Sequence, residues 1–247
     1  MSLTLTDELL NVYTFPATFK VTGFNWKKKI RQVPIAFRDG GDEIGDKKLD
    51  TRVLSIEGII SDNATYAATM ATINSWLYKT NLKLSITAGK HINVKSISDV
   101  NNTFYEGGFF RLSKLKFNCI CPDPFFYTDA VVTTTKVIAV SPYVFNITNS
   151  SLFDVLPVFV ITNAVDNFDL NVENTTDVGK YFKYTDPGFV ALKVLTVDNK
   201  AGTVRINGIN SIQYYSGSWL RLLPGVNTIV YTGLGCSLKI DYYDLEL

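Results

Sequence analysis

Along most of the chain, apolar and polar residues alternate one for one. Leu82, Leu84 and Ile86 interleave with Lys83, Ser85 and Thr87, and Leu115, Phe117 and Cys119 interleave with Lys114, Lys116 and Asn118. Successive side chains of an extended chain point to opposite faces, so each stretch predicts a strand with one buried and one wet face. Leu54, Ile56, Gly58 and Ile60 mark another. One segment keeps a different period. Tyr66, Met70, Ile73 and Leu77 are spaced by four, three and four residues, which puts them on one side of a helix. The spacing predicts a helix over 62–79, with Ser61 or Asp62 capping its first turn and Asn81 just past its end.

Between the apolar runs VPIAF and RVLSIEGII lies RDGGDEIGDKKLD, residues 38–50, with three glycines and eight charges. Nothing in it repays the entropy of ordering inside a compact monomer, so it reads as a mobile arm or a long hairpin loop. Further on, CPDPFFYTD has prolines on either side of Asp123; these remove backbone donors and end the strand near Cys121. A domain boundary is placed there, giving units 1–128 and 129–247, with Pro142 as a later alternative. The second unit is a series of short apolar stretches, VLPVFVIT, FDLNVEN, VALKVLTV and TVRIN, separated by turn signals such as TDPG and DNKAG. That pattern predicts an antiparallel sandwich or jelly roll. Near the end, Leu238, Ile240 and Tyr242 share a face before Tyr243, Leu245 and Leu247 take over, a phase change that predicts a bulge or a switch of sheets.

Composition narrows the class. The chain has 247 residues, 46% hydrophobic and 19% charged, which excludes disorder, collagen and coiled coil. A net charge of +1 argues against stable nucleic-acid binding, which draws on a strong basic excess. The charge is unevenly divided: +4 before Thr128 and −3 after it. The run Lys27, Lys28, Lys29 and Arg31 beside Phe24 and Trp26 reads as an exposed strand end or loop. The segment Met1–Leu10 has neither the basic flank nor the apolar stretch of a secretory signal, so the expected site of synthesis is a cytosol, and the Asn-X-Ser/Thr triplets are read as unglycosylated.

Residues for catalysis or metal binding are scarce. His91 is the only histidine, which excludes a multi-imidazole metal site and leaves a single residue for any histidine-dependent nucleophile; it lies beside an expected turn and is read as a surface residue. Cys119, Cys121 and Cys236 lack zinc-ligand spacing and are expected to be reduced core residues. No phosphate-binding glycine loop or nucleophile elbow is present. The expectation is a protein with no enzymatic activity, cofactor or metal. Among the many aromatics, Tyr214, Tyr215 and Trp219 in SIQYYSGSWLRL are the candidates for a sugar-stacking platform.

The order of segments adds a resemblance. RQVPIAFRDGGDEIG, TRVLSIEGIIS, TYAATMATINSWLYK and RLSKLKFNCICPDPFFY, followed by VLPVFVITN, TVRINGI and WLRLLPGVNTIVYTG, together resemble the distal tail protein family of tailed bacteriophages. The resemblance implies a mainly β protein: an N-terminal β-rich, split-barrel-like domain with one helix that assembles into a ring, usually a hexamer, and a C-terminal galectin-like β-sandwich. It implies a structural part of the virion tail tip, assembled in the host cytoplasm, that joins the tail tube to the baseplate or fibre and adsorption apparatus. The implied partners are copies of itself, the tail tube protein and a tail-associated hub protein, together with a receptor-binding protein or a host glycan. The charged arm supplies the subunit-contact candidates Arg38, Asp39, Asp42, Glu43, Lys47 and Lys48. The competing expectation is a carbohydrate-binding adhesion module for host glycans, using the aromatic trio.

Overall fold

The computed structural model describes residues 3–24, 31–34, 41–44, 50–61, 66–107 and 110–246. They divide into two compact units, Met1–Tyr127 and Thr128–Glu246.

The N-terminal unit contains β1 (Thr4–Thr6), β2 (Val12–Thr14), β3 (Lys20–Thr22), β4 (Arg31–Pro34), β5 (Gly41–Ile44) and β6 (Arg52–Ile60). The helix α1 (Tyr66–Leu77) is followed by β7 (Leu82–Thr87), β8 (Lys90–Val94), β9 (Ser96–Gly107), β10 (Phe110–Cys121) and β11 (Phe126–Thr128). One sheet runs β2-β1-β7-β8-β11, a second runs β3-β6-β10-β9, and among the described residues β4 pairs only with β5. The alternating stretches are strands as expected: Leu54, Ile56 and Ile60 of β6 and Leu115, Phe117 and Cys119 of β10 are buried in one cluster with Leu82 and Leu84 of β7. Gly58 continues that buried face because the ring of Phe19 takes the place of a side chain; a Cβ there would lie 2.3 Å from the ring.

The helix matches its expected face. Ile73 and Leu77 are buried, Tyr66 and Met70 pack against the same cluster, and Trp76, outside the predicted spacing, is buried with them. Residues 62–65, including Asp62, lie outside the described residues. The helix ends at Leu77, where the Lys79 N–H bonds the Trp76 carbonyl at 3.1 Å, and Asn81 takes the left-handed conformation, φ +55°. Lys79 then closes a clamp on the N-terminal turn. Its Nζ lies 2.8 Å from Asp7 Oδ2 and 3.9 Å from the Trp76 ring centroid.

The C-terminal unit contains β12 (Val132–Ile138), β13 (Tyr143–Asn149), β14 (Val158–Asn163), β15 (Asp169–Asn174), β16 (Lys180–Thr185) and β17 (Val194–Asp198). After them come β18 (Thr203–Ile206), β19 (Ile209–Asn210), β20 (Tyr215–Gly217), β21 (Gly225–Thr232), β22 (Cys236–Tyr242) and β23 (Leu245–Glu246). Two antiparallel sheets, β12-β22-β14-β17-β18-β19 and β13-β21-β15-β16-β20, pack face to face, as Phe159 of β14 against Phe182 of β16 shows, with centroids 5.5 Å apart. The expected phase change is real, but its residues divide differently: β22 ends at Tyr242, Tyr243 is exposed, and Leu245 is buried in β23.

Buried asparagines hold the loops at one end of this sandwich. Asn227 Oδ1 accepts the Leu223 N–H at 2.8 Å while its Nδ2 donates to the Leu223 carbonyl at 2.7 Å, so it clasps the LLPGVN turn from inside. Asn174 donates to Asn227 Oδ1 at 3.0 Å and to the Arg221 carbonyl at 2.8 Å. Arg221 turns outward to Asp177 and Asp154, each at 2.8 Å. Unmade, these buried amide bonds would each cost about 1–3 kcal/mol.

Two outcomes test this packing. Gly58→Ala must displace the Phe19 ring, and overpacking of that kind costs about 1–3 kcal/mol, read as a lower denaturant midpoint at unchanged slope. The hydrogen bond from Lys79 lowers the Asp7 pKa from 3.8 to about 2. A lowered folded-state pKa means the clamp contributes fully above about pH 4 and is lost as pH falls through about 2. Asp7→Asn is expected to flatten the acid limb of a stability-versus-pH curve in that window.

Candidate assembly site

The longest strands of the N-terminal unit are β9 and β10, of twelve residues each. β10 is paired on both sides, to β6 over Ser113–Cys121 and to β9 over most of its length. β9 is therefore an edge strand of twelve residues. Val100, Asn101, Asn102, Thr103 and Tyr105 are all exposed, which means that both faces of the strand, as well as its free edge, meet solvent there. Strands are ordinarily stabilised by burying at least one face. β9 instead leans on β10 and on a local device at its bulge. Asp99 sits at φ +52° where the register slips by one residue, and its carboxylate accepts from Ser98 and from Asn118 of β10, at 3.1 and 2.8 Å. The segment contains no lysine or proline, the usual means of blunting an edge.

A second ladder, which among the described residues pairs with no further strand, joins β4 to β5 in the charged arm. Its register pairs Val33 with Asp42 and Gln32 with Glu43. Of the two expectations, mobile arm or long hairpin loop, the described residues fit the hairpin, because β5 lies within the segment and pairs with β4. Asp42 and Glu43 are on that strand; Arg38, Asp39, Lys47 and Lys48 lie outside the described residues, as do Lys27, Lys28 and Lys29.

The aromatic trio is brought together, but its rings largely stack on one another. Tyr215 lies between Phe182, at 5.7 Å, and Trp219, at 4.6 Å and nearly parallel. Gly202 borders the indole, and Tyr214 packs edge-on to Tyr184 at 6.1 Å. Both faces of Tyr215 are occupied; Tyr214 and Trp219 each keep 37% exposure.

His91 departs from expectation. It is buried and stacked on Tyr127 at 5.8 Å, because consecutive His91 and Ile92 are both covered where β8 lies inside its sheet. The cysteines are free and buried as expected. Burial pushes the Cys121 thiol up to about 12 and that of Cys119 higher still, so neither is a thiolate near neutral pH. Among the described residues no cluster of three or more His, Cys, Asp or Glu is placed to hold a metal ion, and no helix is long and apolar enough to cross a membrane.

Residues 151–244, which include the asparagine-clasped turn but not β12 or β13, match the model of a family described as siphovirus-type tail component, C-terminal domain. Over those residues the C-terminal unit is similar to that family. Across the whole chain the fold is similar to the crystal structure of the SPP1 Dit (gp 19.1) protein, titled a paradigm of the hub adsorption apparatus in phages infecting Gram-positive bacteria. The TM-score is 0.74 at 16% identity, with 99% of each chain covered. The phage P2 baseplate in its activated conformation with Ca scores 0.48 at 10% identity over 97% of each chain, too low to carry weight. No curated relative matches. The distal tail resemblance drawn from the order of segments is borne out, and the protein is a mainly β phage tail component. β9 had escaped sequence reasoning; its signal was the loss of alternation in VNNT, where neither face is apolar.

Proposed function

We propose that the protein forms a closed ring at the tail tip, joining the tail tube to the baseplate or fibre and the adsorption apparatus. The observation that carries this reading is β9, a long strand open on both faces and one edge. The energetic logic is that of strand addition. Backbone groups along a free edge are unpaired donors and acceptors that a neighbouring strand can satisfy, and Val100 and Tyr105 supply apolar area beside them. A ring also needs a different, complementary surface on the same chain, since head-to-tail contacts close only if two unlike patches meet. The β4–β5 hairpin, which among the described residues pairs with no other strand, is that second surface. Six copies is the number the family resemblance implies. The tail tube protein and a tail-associated hub protein are the partners above and below, a receptor-binding protein or host glycan lies further out, and assembly takes place in the host cytoplasm. The sheet pairing needs no cofactor and no tight grip on a passing genome.

Val100→Lys combined with Tyr105→Lys is expected to leave circular dichroism unchanged while converting rings to monomers in native mass spectrometry. Deletion of 40–48 is expected to do the same through the hairpin. Rings of unaltered mass in both variants sink the reading.

The alternative, adhesion to host glycans, is favoured by the exposure that Tyr214 and Trp219 retain. On a glycan array the full chain is expected to be silent; specific binding abolished by Trp219→Ala establishes the adhesion reading instead.

A further inference from the structure

The turn between β1 and β2 holds two leucines outward at a conformational cost. Leu9 and Leu10 are 83% and 76% exposed, and Leu10 takes the left-handed conformation, φ +63°, which a side chain of that size rarely adopts. Asp7 enforces the shape. Its Oδ1 accepts the N–H groups of Leu9 and Asn11, at 3.1 and 2.8 Å, and its Oδ2 accepts Asn11 Nδ2 at 3.0 Å and Lys79 Nζ at 2.8 Å. Its carbonyl accepts the Leu10 N–H at 3.0 Å. A glycine or asparagine at position 10 would make the same turn with less strain, so the geometry of the turn does not account for a leucine there.

The turn leads into an open edge. β2 is the outer strand of its sheet, and among the described residues no strand lies beyond it. Two bonds, Asp7 N–H to the Asn11 carbonyl and Phe15 N–H to the Leu3 carbonyl, fix which groups face outward. Bonded pairs of an antiparallel ladder recur at every second residue, so Tyr13 spends its N–H and carbonyl on Leu5, while those of Val12 and Thr14 point away from β1. Both of these residues are exposed. Beyond the other end of the strand lies a groove of about 360 Å³, lined by Tyr13, Thr14, Phe15 and Pro16 and by Ala68 and Thr72 of α1.

Turn, edge and groove form one uncharged surface. Neither residues 9–19 nor α1 contains a charged side chain. The nearest carboxylates are already engaged, Asp7 by Lys79 and Glu8 by Asn81 Nδ2 at 2.8 Å. Within Val12–Thr14 there is no lysine or proline to blunt the edge.

We propose that this edge pairs with its own counterpart on a second copy of the chain, about a two-fold axis through Tyr13. Register and symmetry select that occupant. Antiparallel pairing about Tyr13 sets Val12 of each copy opposite Thr14 of the other, and this is a bonded pair because those two residues carry the outward backbone groups. The same register sets Leu10 opposite Pro16, since each stands three residues from Tyr13, and so carries the leucine turn of one copy to the groove of the other. A two-fold contact brings groups near the axis against their own duplicates, where a charge would meet a like charge; an uncharged patch escapes that penalty. The contact goes beyond the ring reading, which rests on β9 and the β4–β5 hairpin: it joins chains in pairs, whether or not they also close into rings.

The test is sedimentation equilibrium of the full chain carrying Val100→Lys and Tyr105→Lys, so that pairing through β2 is read apart from any ring. A doubling of mass with a Kd of about 100 µM is expected, loose enough to be dissociated at micromolar concentration because so few residues pair. Leu10→Gly is expected to weaken the dimer at least about tenfold by removing a buried leucine from the contact. It should leave the thermal midpoint of the monomer unchanged or higher, since glycine relieves the left-handed strain; a leucine kept for the fold would lower it. Val12→Cys with Thr14→Cys is expected to give disulfide-linked dimers on mild oxidation, and Val12→Cys alone is not, because the register sets it opposite Thr14. No doubling of mass up to about 1 mM, a dimer indifferent to Leu10→Gly, or cross-linking by Val12→Cys alone overturns the proposal.

Discussion

The antiparallel ladder between β6 and β10 is what the N-terminal unit depends on. Nine consecutive residue pairs, Arg52 with Cys121 through Ile60 with Ser113, fix the register. A slip of one residue would turn Leu54, Ile56, Leu115, Phe117 and Cys119 from the core to solvent. Because β10 is locked from one side, it can carry β9 on the other without β9 burying a face. The strand is thus held in shape by backbone pairing and by the Asp99 contacts at its bulge, with its middle left to solvent. One buried charge persists in this region: Arg52 lies 5.3 Å over the Phe126 ring, and burial lowers its pKa.

The C-terminal unit solves a different problem. Its core is aromatic and closed, with Phe159, Phe182, Tyr184 and Tyr231 fully buried, and its loops are tied down from inside by Asn149, Asn174 and Asn227. Amide side chains suit this work because each offers a donor and an acceptor, and can replace both halves of a missing backbone ladder where strands give way to turns. That explains why the WLRLLPGVN stretch stands out in the sequence. Its proline and glycine shape the turn, and its arginine and asparagine fasten it to the strands around it. The family match, residues 151–244, includes this region.

The chemistry of the molecule is correspondingly quiet. Its thiols are protonated by burial, its histidine is packed against a tyrosine, and its aromatic trio is mostly satisfied by mutual stacking. What remains available is surface: an open strand and a hairpin that, among the described residues, pairs with no other strand.

Period-two and period-four patterns were enough to place the strands around Leu54, Leu82 and Leu115 and the helix through Ile73, since burial on one face imposes a period on any sequence. The cysteines were legible as core residues for the same reason. Gly58 was not, because what makes it necessary is a ring from Phe19, 39 positions earlier. His91 was misplaced because local polarity says nothing about which strands will flank a residue, and β8 is covered on both faces where it stands. The long edge strand was the least visible: where neither face of VNNT is buried there is no pattern to read, and Asp198 and Asp241, 43 residues apart, become neighbours of Val158 only through sheet order. The chain alone determined which residues seek the interior and how often they recur. Which edge stays open and which carboxylates flank Val158 were decided by long-range strand pairing, which joins positions that have no local relation in the sequence.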